Sequence, residues 1–101
     1  MVLTTTNTIE GFRIIEYKGI VTGLAMNSKT ITVGFNISKY YTKVKNSIAL
    51  VKEEAFQDLQ ENAKALNANA VVGIKVEIEL TSGNFAVVSV TGTAVSVVTE
   101  K

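Results

Sequence analysis

The chain has 101 residues, with ten basic and nine acidic side chains for a net charge of +1. That is one domain, residues 1–101, with no global attraction to nucleic acid or to an anionic membrane. The complete absence of Cys and His excludes disulfides, thiolate zinc sites and cysteine nucleophiles, and removes the commonest general base and metal ligand.

Residues 1–10 have neither the basic start nor the apolar run of a signal peptide. No stretch approaches the roughly 20 apolar residues that cross a bilayer, so a soluble cytoplasmic protein is expected. Residues 4–8 form a polar, β-prone lead-in. A first long strand is expected over 12–25, with Ile15, Tyr17, Gly19, Val21 and Gly23 on one parity and Phe12, Ile14, Glu16, Lys18, Ile20 and Leu24 on the other. Two glycines four residues apart point to a bend or to close packing under another element. Asn27-Ser28 signals a turn, and alternation of Ile31, Val33 and Phe35 predicts a short second strand over 29–35.

From Ile37 the period changes. Ile37, Tyr41, Val44, Ile48, Val51, Ala55, Leu59, Ala63 and Leu66 recur at three- and four-residue steps, which predicts a helix secure over 47–66. Residues 38–46 either extend it or form a short helix of their own; Lys39, Lys43 and Lys45 suit the positive end of a helix dipole poorly. A strand over 71–80 follows, with Val72, Ile74, Val76, Ile78 and Leu80 facing the core and Lys75, Glu77 and Glu79 facing outward. Residues 81–84 are a hairpin loop, and 85–98 the last strand. That strand sets Ala86, Val88, Val90 and Ala94 on one side and Phe85, Val87, Val95 and Val97 on the other. Apolar on both faces, it should be covered on both, by the helix on one and by another subunit on the other. Val21-Thr22-Gly23-Leu24-Ala25 is echoed by Val90-Thr91-Gly92-Thr93-Ala94. No longer period surrounds the echo, so it reads first as coincidence and otherwise as two strands lying side by side.

Taken in order, several segments resemble the YbjQ-like family, small prokaryotic proteins that carry a heavy-metal-binding label. They are Thr4-Thr5 with Thr8-Ile9-Glu10-Gly11, and Glu16-Tyr17-x-Gly19-Ile20-Val21-Thr22-Gly23-x-Ala25. Ala55-Phe56-x-x-Leu59 follows, then Ala63-x-Ala65-Leu66-x-Ala68-x-Ala70-Val71-Val72-Gly73-Ile74 and Val88-Ser89-Val90-Thr91-Gly92-Thr93-Ala94-Val95. The resemblance implies an α+β fold, a small mainly antiparallel sheet with a long helix packed on one face, assembled into a ring of five subunits. It also implies a metal site. Two departures bear on that: Leu24 stands where the family often has Glu, and the connection between Met26 and Lys52 is short and lacks the family's Gly-Gly-Arg.

Without Cys or His, a metal can be held only through oxygen, in a site suited to hard or borderline divalent cations. Glu10 and Glu16, in the matching motifs near the first strand, are the candidate ligands; the competing role for Glu16 is a solvated partner of Lys18. Gly19, Gly23, Gly73 and Gly92 are candidates for close backbone packing and subunit contact. Glu77 and Glu79 could pair for acid–base work, although a solvated strand face explains them as well. Lys39, Lys43, Lys45 and Lys52 with Tyr40 and Tyr41 form a small basic patch, balanced by Glu53, Glu54, Asp58 and Glu61 and better suited to a solvated face than to nucleic acid. Tyr41 should pack in the helix stripe and Tyr17 against the sheet. The expected role is a self-associating binding or scaffold protein; the competing class is an enzyme whose site is built between subunits from Tyr, Lys and carboxylates.

Overall fold

The computed structural model describes residues 1–27, 37–81 and 85–100, with backbone alone at Ile37 and Tyr40. Its elements are β1 (Val2–Leu3), β2 (Phe12–Met26), α1 (Ile37–Ala65), β3 (Ala70–Leu80) and β4 (Ala86–Thr99). The four strands form one sheet in the order β1-β3-β4-β2. β4 runs antiparallel to both β2 and β3, and β1 runs parallel to β3. α1 packs across one face, over β2 and β4, and the fold is α+β. The strand expected over 29–35 lies outside the described residues, as do positions 82–84 of the hairpin loop.

α1 is one continuous helix, so residues 38–46 extend it. Its buried side chains are Val51, Ala55, Leu59 and Ala63, at four-residue steps along one line. Small residues on that line let the helix lie almost on the sheet backbone. A Cβ added at Gly23 would stand 2.0 Å from the Ala55 carbonyl oxygen and 2.6 Å from the Leu59 nitrogen. The predicted stripe overreaches at both ends: Tyr41 is 67% exposed and Leu66 is 40% exposed. The helix stops through a left-handed residue, Asn67, at φ +61°. Ala68 N donates to Ala63 O and Asn67 N to Lys64 O, the six-to-one and five-to-two bonds that cap free carbonyls, while buried Ala68 packs in the same cluster as Ala63. Asn69 then uses its side chain as a strand would use its backbone, donating to Val97 O at 2.9 Å and accepting from Val97 N at 2.8 Å.

Three bulges break the expected alternation. In β2 the register against β4 slips between Ile14 and Glu16 and again between Tyr17 and Gly19. The parity read from the sequence therefore fails between the slips, where Tyr17 pairs with Val95 of the face away from the helix although it shares a parity with Val21 of the helix-side core; beyond both slips the reversals cancel, and Ile14 and Val21 lie on opposite faces as read. In β3 the slip falls between Val72 and Lys75, where Gly73 sits at φ +62°. Val71 and Ile74 consequently face the helix and Val72 the other side. The helix reaches β2 and β4 rather than the far half of β3. Val76, Ile78 and Leu80, expected in the core, are therefore 37%, 47% and 57% exposed.

β4 divides as its pattern predicts. Val88, Val90 and Ala94 join the helix-side core, and Val95 and Val97 a second cluster with Ala70 and Val72. The expectation that only another subunit could cover the second face is corrected at this end. Ile9 of the chain's own lead-in and Ile14 pack against that cluster. The lead-in is held on β3 by Thr4 N to Val71 O, Ile74 N to Thr4 O and Gly73 N to Thr6 O, at 3.0, 3.1 and 2.8 Å. The echoed segments lie side by side: Val21 pairs with Gly92, Thr22 with Thr91 and Gly23 with Val90. Coincidence is thus the wrong reading of the echo. Each glycine faces a valine across the ladder, and the two Thr hydroxyls stand 3.5 Å apart.

Candidate functional site

The two carboxylates proposed as metal ligands sit near the start of β2. Glu10 is exposed in the turn closed by Phe12 N donating to Ile9 O at 3.1 Å. Glu16 follows the first bulge and is ion-paired through Oε1 with Lys18 Nζ at 2.5 Å, its own side chain well exposed. An exposed pair of this kind contributes at most about 1 kcal/mol, and it occupies part of the coordination capacity a cation would need. Among the described residues there is no group of three or more carboxylates that could hold an ion.

Glu77 and Glu79 do share a face, on the side of the sheet away from α1. Glu77 stands opposite Ser89 and Glu79 opposite Val87. Together with Ile78 these residues line a shallow cleft of about 290 Å³. Lys75, opposite Thr91, is on the same face, so the pair sits in a mixed and open environment rather than a desolvated one. A second, mainly apolar depression of about 420 Å³ lies where β2 ends beneath α1, between Met26, Asn27, Asn46, Ser47, Leu50, Val51 and Glu54. Lys39, Lys43, Lys45 and Lys52 are exposed on α1 with Tyr41 beside them, as a solvated helix face requires.

The most distinctive surface is apolar. The face of β2 turned from α1 carries Tyr17, Ile20, Leu24 and Met26, paired in turn with Val95, Thr93, Ser89 and Val87 of β4. Tyr17 is 71% exposed and Ile20 79% exposed, so Tyr17 does not pack into the sheet as expected. Bulging is the cause, since the first slip turns Tyr17 outward next to Lys18. Val76, Ile78 and Leu80 form another exposed row, on the opposite face beside the helix.

Within the chain, Gly23 lies under α1, and a Cβ at Gly92 would meet Val71 Cγ1 at 2.6 Å and Ile74 Cγ1 at 2.9 Å. A Cβ at Gly73 would stand 3.4 Å from Asn7 Oδ1, and one at Gly19 4.0 Å from Leu66 Cδ1. Asp58, read from the sequence only as a balance to the basic patch, and Asn62, which the sequence reading did not single out, both bond the backbone of β2. Asp58 Oδ2 accepts from Leu24 N at 3.0 Å, and Asn62 Nδ2 donates to Thr22 O at 2.7 Å. Their spacing of four on a helix that crosses a strand was the available signal.

The family model described as "Putative heavy-metal-binding" (YbjQ) matches residues 1–98. A UPF0145 protein from Clostridium kluyveri is 40% identical over 108 residues, an alignment covering 96% of this chain and 99% of the relative. A crystal structure from Pediococcus pentosaceus, of a protein with unknown function in the DUF74 family, matches with a TM-score of 0.71 at 25% identity. That match covers 97% of this chain and 98% of the other.

Proposed function

This chain belongs to the YbjQ family, and from that premise we propose that it is a self-associating scaffold, a ring of five copies as the resemblance implies, that offers binding surfaces made between its subunits. The observation that carries the reading is the row Tyr17, Ile20, Leu24 and Met26. Four large apolar side chains, with Thr22 between Ile20 and Leu24, lie along one face of a single strand and stay exposed on an isolated chain. A patch of this kind on a small domain marks an interaction surface. The near-zero net charge leaves little repulsion between copies.

The family's metal description is met here by the wrong donors. Heavy, soft ions take thiolate, imidazole or thioether, and the whole chain offers only two Met thioethers, with no Cys or His. The residues of one copy do not fit such an ion. Oxygen ligands contributed by several copies would suit hard or borderline cations instead.

Sedimentation velocity at micromolar concentration tests the assembly, comparing the parent with Ile20→Asp and Leu24→Asp. The expected result is a parent several times heavier than one chain and variants shifted toward the monomer. A soluble, monomeric parent refutes the proposal.

A further inference from the structure

Among the described residues β2 is the last strand of the sheet on its side, and its outer edge would normally present free backbone donors and acceptors to any strand that arrived. Which groups point outward follows from the ladder. Asn27 N donates to Ala86 O, and backbone direction alternates along an antiparallel pair. Ala25, Gly23 and Val21 therefore bond toward β4, whereas Leu24 and Thr22 turn their N–H and C=O away from it. α1 engages two of those outward groups, the facing ones of the pair: Leu24 N donates to Asp58 Oδ2 and Thr22 O accepts from Asn62 Nδ2. One side-chain acceptor and one side-chain donor, a helical turn apart, reproduce the pair of contacts a neighbouring strand would make. Gly23, between the two clasped residues, lets the helix come close enough for short side chains to reach. Further along the same edge the two bulges at 14–16 and 17–19 spoil its regularity.

We propose that Asp58 and Asn62 are an edge clasp. They occupy the outward backbone of β2 and prevent a strand of a second copy from adding there, beside an apolar row that would otherwise make such addition favourable. Self-association through that row is thereby confined to contacts between side chains. The clasp does not depend on the scaffold reading, since blocking strand addition protects a monomer equally.

The test uses the full chain with Asp58→Ala, Asn62→Ala, the double variant, and Asp58→Asn, whose side-chain oxygen can still accept from Leu24. Circular dichroism establishes that each is folded. Amide exchange by NMR should show the Leu24 amide of Asp58→Ala exchanging about tenfold or more faster than in the parent, with the Gly23 and Ala25 amides unchanged. Thioflavin T fluorescence on standing should rise at least about tenfold faster in the double variant, while Asp58→Asn follows the parent. Three results overturn the proposal. They are unchanged Leu24 exchange in Asp58→Ala, parent-like thioflavin kinetics in a folded double variant, or Asp58→Asn behaving as Asp58→Ala, which would assign the protection to charge. If the double variant does not fold, the single variants and the Leu24 amide decide the matter.

Discussion

Gly23→Ala should be among the most damaging single-methyl changes in this protein. The added carbon would lie 2.0 Å from the Ala55 carbonyl oxygen and 2.9 Å from the Leu59 Cβ, where ordinary contact begins near 3.4 Å. Moving from 2.0 to 3.4 Å means a retreat of roughly 1.4 Å by helix backbone, which no rotamer change can supply. Overpacking against side chains costs about 1–3 kcal/mol, and an obstacle of backbone places the cost at or beyond the upper end. A retreat of that size also stretches the bonds from Leu24 to Asp58 and from Asn62 to Thr22, worth about 0.5–1.5 kcal/mol each and more where a charge takes part. Against this stands the reduced freedom of the unfolded chain, about 0.4–1 kcal/mol in the variant's favour. The net expectation is a loss of about 3 kcal/mol, or a fall in Tm of roughly 12–24 °C for a domain of this size. Urea and thermal unfolding followed by circular dichroism, at matched protein concentration so that association does not enter, measure it. A midpoint within about 0.5 kcal/mol of the parent would show that the helix does not rest on this backbone and would remove the basis of the argument.

Two further expectations follow from other parts of the molecule. Asn69→Ala removes both bonds to the Val97 backbone from a part-buried position and should cost about 1–3 kcal/mol in the same unfolding assay, whereas a loss below the error of the measurement would make the Asn69 bonds incidental. Calorimetry on metal-stripped protein with calcium, manganese, zinc and copper should give little heat, because Cys and His are lacking and Glu16 is already paired; a strong zinc or copper signal abolished by Glu16→Gln and by mild acid would reverse that conclusion.

How far the fold could be read from the residues depended on where the backbone stayed regular. The α1 stripe from Val51 to Ala63 and the two faces of β4 obey simple periods, and periodicity located them. β2 and β3 do not. Alternation carries no mark of an inserted residue, so each bulge reverses the faces up to the next one, as Gly73 does for Val72 against Ile74 and as the first slip of β2 does for Tyr17. Glycine within a β-branched run is the local sign: it points to a bend or close packing at Gly19 and Gly23, but at Gly73 the sequence reads as close packing alone. The exposure of Val76, Ile78 and Leu80 could not be foreseen from composition, because it depends on which strands the helix crosses. Asp58 and Asn62 were hidden for a related reason. Polar residues on a helix flank look solvated until the path of the neighbouring strand is known.

The pairing of β1 with the start of β3 also has a temporal side. Val2 meets Ala70 and Leu3 meets Val71, partners separated by most of the chain. During synthesis β1 has no strand partner until the helix and the following strand have been made. Closing so long a loop is entropically expensive and contributes to slow folding, so this contact belongs late in the process. Ile9 and the second cluster it covers must wait with it. Through that interval Val95, Val97, Ala70 and Val72 lack their lid, and the nascent chain is most exposed to misassembly just before its own beginning folds back over its end.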